Sequence, residues 1–460
     1  MDENNSLILN NEKDVERFVG IEAYINSQIE GIKGIYKHIF KDFIVKEIID
    51  DGVTLEIKED YSTMDFSKEH KDKFTTFNLI KINKDTFEAL RDLSQALKIP
   101  SELIHYSGLK DRASISVQKI SIKGNYVKDL KKLKIRDIFI RHIKPTRKPV
   151  KLGGNRGNHF TITIRNIEDK KNINKRIEIL ANKVIKNGFL NYFGLQRFGI
   201  YRPNSHLVGR YLLENNFKEA FNEYVSRVYS TESKFLQELR GTLEQDENLK
   251  KAYKNFPKGL NYERWMINHL IEHPNDYEGC FNLLPSDLKN LLISAFQSYI
   301  FNKMISLRAE KGISLTKPVQ GDAISILDDD HGQITHIKYI YGNLQGKYDK
   351  FLKRAINLNR AAIVIPIVGY DTDFNEFPLM RSLFEEIIEK EAINITIFNS
   401  ELLHKFEYKG SFRAMIVKPI GFKLVKFDDD ELFPGAKKLK IEFALAKGTY
   451  ATMLLRELMK

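Results

Sequence analysis

Ser107-Gly108-Leu109-Lys110-Asp111-Arg112-Ala113-Ser114-Ile115-Ser116-Val117-Gln118-Lys119-Ile120-Ser121-Ile122 reads as a loop that feeds a strand. The glycine and the polar residues up to Asp111 are loop chemistry. Ile115, Val117, Ile120 and Ile122 then alternate, with one slip at Gln118-Lys119 that predicts a bulge. Upstream, Phe43-Ile44-Val45 and Val53-Thr54-Leu55-Glu56-Ile57 read as strands joined through an Asp51-Gly52 hairpin turn. Phe87, Leu90, Leu93 and Leu97 recur at helical spacing between Asp85 and Lys98, and Pro100 is a stop signal. Downstream, Phe160-Thr161-Ile162-Thr163-Ile164 alternates as a strand, and Ile177, Leu180, Ala181 and Val184 mark a helix ended by Gly188. Strands and helices without repeated βα units predict an α+β fold on a mixed, largely antiparallel sheet.

Residues 1–33 form a polar lead-in with some helical character, and after about residue 204 long helical patterns take over. The clearest runs from Ser286 to Gly312, where Leu288, Leu291, Leu292, Ala295, Phe296 and Tyr299 lie on adjoining faces. Ser286 or Asp287 is placed to cap its start and Gly312 its end. The last segment returns to a strand at Ile441–Ala446 and a helix opening at Thr449 and running through Glu457. The chain has no internal repeat, and its one low-complexity run, Asp428 to Glu431, reads as a solvated turn rather than a metal site.

With 460 residues, 42% of them hydrophobic, the chain has material for two or three domains at roughly 150 residues each, which excludes intrinsic disorder. The single cysteine, Cys280, excludes both a disulfide scaffold and a cysteine-based zinc site. Met1-Asp2-Glu3-Asn4 has no basic segment leading into an apolar stretch. The purest apolar run, Ala361 to Val368, contains Pro366 and is too short for a membrane span. The expected location is therefore the cytoplasm.

The net charge of +12 is unevenly spread. From Lys110 to Arg165 there are 16 Lys/Arg and three acids, net +13, so the other 404 residues sum to −1. Such a stripe attracts phosphates and makes association depend on salt. A solvated face carries the same charge without binding anything. Tyr126, Phe139, His142 and His159 lie among the cations, and aromatic rings among cations favour a nucleic acid over a membrane surface because bases stack on them.

Several chemistries fail on inspection, since the chain lacks a GxxxxGK[ST] loop, a GxSxG elbow and an HExxH helix. Gly153-Gly154-Asn155-Arg156-Gly157-Asn158 has the wrong spacing for a dinucleotide fingerprint. What remains is Asp111, flanked by Lys110 and Arg112 just before a strand; a carboxylate held ionised by cations serves as nucleophile or base, and equally as a plain turn cap. The second constellation is Asn191-Tyr192-Phe193-Gly194-Leu195-Gln196-Arg197-Phe198-Gly199. Its amides, arginine and rings suit a pocket that stacks a flat base, or else a turn packed by Phe193 and Phe198.

These residues carry a resemblance. In order along the chain stand Lys37-His38-Ile39-Phe40-Lys41-Asp42-Phe43-Ile44-Val45-Lys46-Glu47; Ser107 to Ala113 with Gln118; Gly157-Asn158-His159-Phe160; the Asn191 to Gly199 block; Gln297 to Asn302; Gly321-Asp322; Pro366 with Gly369; Phe412-Arg413; and Lys447 to Thr452 with Leu455-Arg456-Glu457. In this set of blocks the chain resembles the TruD family of tRNA pseudouridine synthases.

The resemblance implies a discontinuous catalytic domain of residues 1–204 and 406–460, with the pseudouridine-synthase type of largely antiparallel mixed sheet, around an inserted, mainly helical α/β TRUD domain of residues 205–405. It implies isomerisation of a specific uridine in tRNA, by family analogy uridine 13 of the D arm. Asp111 takes the place of the family's catalytic aspartate and Lys37 that of the basic residue beside it. Phe43, Asn191, Phe193 and Tyr450 fall at nucleotide-contacting positions, and Lys131, Lys132, Lys134 and Arg136 in the stripe are candidates for RNA contacts. No cofactor, metal or obligatory protein partner is implied, and a monomer is expected with tRNA as its partner. Tyr450 stands where some relatives have Phe, and the segment from Gly199 to Phe412 is longer than in compact bacterial relatives. A noncatalytic RNA-binding or RNA-chaperone protein is the alternative on the same residues; a methyltransferase would need a Gly-rich cofactor loop that the chain lacks.

Overall fold

Alternating apolar residues become strands when neighbours bury them, and here they assemble an eight-stranded sheet in a computed structural model that describes residues 9, 11–66, 73–328, 332–343 and 348–460. Across the sheet the order is Ile420–Asp429, Ala436–Ala446, Gly157–Glu168, Phe43–Ile48, Ile115–Lys123, Phe74–Ile82 and Ile138–Thr146. Ile104–Tyr106 pairs with the far half of Ile115–Lys123. Phe43–Ile48 and Ile115–Lys123 run parallel and the other pairs are antiparallel, so the sheet is mixed and largely antiparallel, as expected. Gly157 permits one close approach: a Cβ there would run into the carbonyl oxygen of Leu445 on the neighbouring strand.

Two local expectations fail for instructive reasons. No bulge occurs at Gln118-Lys119: the strand pairs with Phe74–Ile82 without a shift, from Ile115 opposite Ile82 to Lys123 opposite Phe74. The apolar side chains instead change face. Val117 joins Ile49, Leu55 and Ile80 on one side, and Ile120 and Ile122 join Phe77, Leu79 and Leu93 on the other. A central strand covered on both faces has no single apolar phase to keep. Val53–Ile57 is not a strand either. It contributes one bridge, Thr54 to Ile48, with Leu55 N donating to Glu47 O at 2.9 Å. Phe43–Ile48 is already paired along one whole edge and at Ile44–Lys46 on the other, which leaves room for little more.

The helices on this sheet follow their signals closely. Thr86–Leu97 starts where the Asp85 carboxylate accepts from Glu88 N and stops at Lys98 in left-handed conformation, burying Ala89, Leu90 and Leu93. Phe87, expected on that face, is 61% exposed. Ile173–Asn187 ends at Gly188, with φ of 74°. The last helix is Ala451–Met459, two residues later than expected, because the Thr449 hydroxyl donates to Ala446 O and holds the turn before it.

The chain divides into two compact units. Asn26–Phe189, Asp328–Gln333 and Val417–Lys460 contain the eight-stranded sheet; Met1–Ile25, Leu190–Leu327 and Ile334–Ile416 form the second. In the second unit, helices between Ser205 and Asn282 pack around Val208, Leu212, Phe221, Met266, Ile267, Cys280 and Phe281. It also holds an antiparallel sheet in the order Ser411–Ala414, Ala361–Ile367, Ala323–Leu327, Ile334–Ile340. The 25-residue helix Ser286–Glu310 buries residues on almost every face of its second half. It starts after Pro285 without a side-chain cap from Ser286 or Asp287. Residues 190–204, on the sheet side of the expected break at 204/205, pack within this unit: Tyr192 Oη pairs with Ser306 Oγ at 2.8 Å, and Phe193 N donates to Asn302 Oδ1 at 2.9 Å. Of the polar lead-in, Glu12–Phe18 is a helix capped by Asn11, while residues 1–8, including Met1 to Asn4, lie outside the described residues.

Candidate active site

In the sheet unit, the loop before Ile115–Lys123 is anchored at Ser107, Lys110 and Asp111 by side chains from neighbouring elements. Glu47, fully buried, accepts from Ser107 Oγ at 2.6 Å, from the Lys110 ammonium at 2.8 Å and from Lys119 N at 3.1 Å. Thr86, at the start of its helix, accepts from Lys110 N at 2.8 Å and donates to Gln118 Oε1 at 3.2 Å. From the Phe74–Ile82 strand, Lys81 donates to Asp111 O at 2.8 Å, Lys110 O at 3.2 Å and Lys84 O at 2.5 Å. Ser114 Oγ also reaches Asp111 O at 2.8 Å. Burial pushes the Lys81 ammonium down to about 8, against the pull of the Asp111 carboxylate.

This anchoring fixes the Asp111 main chain while its carboxylate stays 44% exposed. Asp111 Oδ2 lies 2.5 Å from the ammonium of Lys37, a residue with left-handed backbone at φ of 57°. The same ammonium sits 4.3 Å from the centroid of the Phe43 ring, itself buried with its edge on Phe160. Lys37, Phe43 and Asp111 are therefore brought together. The arrangement offers a carboxylate at a surface, paired with a cation that lies over a ring. Among the described residues no three His, Cys, Asp or Glu side chains are grouped so as to hold a metal ion.

In the second unit, Asn191 and Phe193 form a cluster with Arg413. The Asn191 amide donates to Ala414 O at 2.9 Å and its Oδ1 accepts from Arg413 at 2.6 Å, while Arg413 Nε donates to Asn191 O at 3.0 Å. The Arg413 guanidinium lies 4.4 Å from the Phe193 ring centroid and that of Arg197 5.5 Å, with Phe301 edge-on at 5.3 Å. The Phe193 ring is thus enclosed, at 5% exposure. Tyr450, in the sheet unit, is half-buried at the N-cap of Ala451–Met459.

The basic stripe separates into surface and interior. Lys131, Lys132, Lys134 and Arg136 are exposed, on and after the helix Val127–Lys132. Lys110 and Arg165 are not surface charges: Lys110 is buried against Glu47, and Arg165 pairs with Asp42 and Asp430 at 2.8 Å each and with Glu431 at 3.2 Å. The Asp428 to Glu431 run is solvated only in part: Asp429 and Glu431 are exposed, whereas Asp430 is buried as the acceptor for Arg165 and for Asn166 N.

Motif reading assigned no role to Lys81, Glu47 or Arg413. Lys81 carries a signal in hindsight, since it continues the phase of Phe77 and Leu79, and a lysine on a core face must find carbonyls or a carboxylate. Glu47 and Arg413 are recognisable only from their partners, which are remote in the chain.

Comparison with known proteins identifies the family. The family model described as tRNA pseudouridine synthase D (TruD) matches residues 18–458. A protein named probable tRNA pseudouridine synthase D from Methanosarcina barkeri is 32% identical, over 97% of this chain and 98% of its own. One from Methanocaldococcus jannaschii is also 32% identical, over 95% and 98%. A crystal structure of a TruD chain from Methanosarcina mazei superposes with a TM-score of 0.78 at 30% identity, covering 97% of this chain and 98% of that one. The chain belongs to the TruD family. It is therefore a tRNA pseudouridine synthase, an isomerase. Among the described residues no helix is long and apolar enough to cross a membrane.

Proposed function

We propose that this enzyme converts a specific uridine of tRNA, uridine 13 of the D arm, to pseudouridine without a cofactor, with the Asp111 carboxylate acting on the ribose. The supporting observation is the Lys37–Asp111 pair, held at the surface by a loop whose main chain is fixed by Lys81 and Thr86 and whose Ser107 and Lys110 side chains are held by Glu47. Pre-fixing a reacting group removes the entropy and reorganisation that would otherwise add to the barrier. The C1′–N1 bond breaks as Asp111 either attacks C1′, forming an ester bond that breaks again when C1′ bonds to C5, or takes a ribose proton that it returns to the same carbon at that step. The uracil turns, C1′ bonds to C5, the C5 proton leaves and N1 ends protonated. Lys37 orients the Asp111 carboxylate through their 2.5 Å ion pair.

Phe43, Asn191, Phe193 and Tyr450 are the proposed nucleotide contacts. Lys131, Lys132, Lys134 and Arg136 are the proposed phosphate contacts that help offset the roughly few kcal/mol needed to extrude a base. The proposed catalytic domain is residues 1–204 with 406–460, around the inserted domain of 205–405. Mapping pseudouridine in a tRNA transcript incubated with the wild type and with Asp111→Asn tests the reading. A product at position 13 that needs Asp111 is expected; binding without product would leave a noncatalytic RNA-binding protein, and product elsewhere would overturn the position.

A further inference from the structure

On the outer strand of the eight-stranded sheet, the segment from Asp60 to Met64 lies along Ile138–Thr146. His142 N donates to Asp60 O, Ile143 N to Ser62 O and Met64 N to Ile143 O, at 2.9 to 3.0 Å. The His142 ring adds a side-chain clasp, 2.7 Å from Ser62 Oγ and 3.2 Å from Asp60 Oδ2, on a backbone in left-handed conformation. This clasp fixes Tyr61 beside the strand, and between Tyr61 and the helix Val127–Lys132 with the turn after it lies a groove of about 520 Å³.

The lining of the groove is unusual for a protein surface. Tyr61 is 66% exposed and Phe139 42%, and the Arg141 guanidinium is placed between them, 4.5 Å from the first ring centroid and 5.6 Å from the second. Arg141 Nε is shielded from solvent yet has no hydrogen-bond partner among the described residues. Lys131 and Lys134 stand on the opposite wall. Of the two acids at the groove, Asp60 is engaged by Ser62 and His142, which leaves the wall net positive. None of these residues is among those that hold Asp111.

We propose that this groove binds an unstacked base of the RNA substrate other than the target uridine, with Tyr61, Phe139 and Arg141 on its faces and Lys131 and Lys134 on its phosphates. The inference rests on the tRNA reading above and adds a second binding point to it. Exposed rings bracketing a guanidinium, with cations along one wall, are the chemistry that single-stranded RNA recognises, because every base has a face to stack and every linkage a charge. The volume is within the range that accommodates a nucleotide-sized ligand. A helical peptide would need an apolar stripe to dock on, whereas this groove pairs its apolar floor with lysines.

The test measures affinity of the full chain for fluorescein-labelled tRNA transcript by anisotropy over a salt series, alongside the single-turnover rate at saturating tRNA. Tyr61→Ala and Phe139→Ala should each weaken binding about tenfold, leave the log–log salt slope and the saturating rate unchanged, and keep the wild-type melting temperature. Tyr61→Phe should bind as wild type. Lys131→Gln with Lys134→Gln should flatten the slope by between one and two. Wild-type affinity in both alanine variants would overturn the proposal and leave the groove to a protein partner; so would an affinity loss that Tyr61→Phe shares, or one matched by a fall in melting temperature. If the wild type binds tRNA but forms no product, the isomerase reading fails while the anisotropy comparison still decides the groove.

Discussion

Lys81 donates to the main-chain carbonyl of Asp111 at 2.8 Å from a side chain with no exposed surface. A buried ammonium is costly unless its protons find acceptors, and all three acceptors here are carbonyls, two of them on the Asp111 loop. The carboxylates acting on it are Asp111, Asp85 and Glu88, with Lys110 opposing them.

Lys81→Met is expected to lower kcat at least tenfold and leave KM within a few-fold, since the loop loses its aim but not its RNA contacts. A pH profile separates this positioning role from mere packing. The Lys81 ammonium titrates near 8 in the folded protein against 10.5 ordinarily, so wild-type kcat should fall as pH rises through about 8, and that limb should be absent in Lys81→Met. Stability moves the other way. Between pH 8 and 10.5 the unfolded chain holds a proton that the native state has released, so the Lys81 contribution to folding stability rises with pH across that window. An alkaline limb that persists in Lys81→Met would remove Lys81 from the assignment.

Asp111→Asn keeps shape and removes the anion. The pair with Lys37 is partly exposed and worth at most about 1 kcal/mol of stability, so the variant should melt near the wild type and bind tRNA within a few-fold. Product formation should fall below about a thousandth of wild type. Lys37→Met should also cripple the rate; normal turnover at neutral pH would show that its charge is dispensable.

Charges that look alike in the sequence should behave oppositely. Reversing Lys131, Lys132, Lys134 and Arg136 to Glu should weaken tRNA binding and flatten the log–log salt dependence by roughly 0.7 to 0.9 per lost phosphate contact, with little change in melting. Arg165→Met should leave the salt slope alone and destabilise the fold by roughly 3–5 kcal/mol, because Asp42 and Asp430 stay buried without their cation. Chemical denaturation and salt-titrated anisotropy on the two variants check the contrast.

The same contrast shows what could be read from the residues alone. Helix ends at Asp85, Lys98 and Gly188 and the Phe160–Ile164 strand were legible because caps and alternation are local. Asp111 stood out through its loop, and its partner Lys37 through the family resemblance. Arg165 counts toward the basic stripe in the sequence, and its acceptors, Asp42 and Asp430, come to it only through folding of distant segments. Ile115 to Ile122 was read as bulged because one-phase alternation presumes one buried face, and only the sheet order shows that this strand has two. Lys81 is marked as buried by its phase with Phe77 and Leu79, but which carbonyls it reaches is set by the fold, since two of them lie on the remote Asp111 loop.

The rings at Phe193 and Tyr450 sit in different surroundings and should respond differently to truncation. Phe193 is enclosed by Phe301, Arg413 and Arg197, so Phe193→Ala opens a cavity and should cost roughly 3–5 kcal/mol of stability. Tyr450 is half-buried at a helix start, and Tyr450→Ala should cost less stability but at least about tenfold in kcat/KM if the ring stacks on the target base. Tyr450→Phe keeps the ring and should stay near wild type. For Phe193 the decisive quantity is activity per folded molecule, taken from single-turnover rates below the melting transition. If Phe193 contacts the nucleotide, Phe193→Ala loses about tenfold there in addition to its stability. A destabilised Phe193→Ala that turns over at the wild-type rate would make the ring a packing element that sets Arg413 against Asn191, and would leave Tyr450 as the stacking ring.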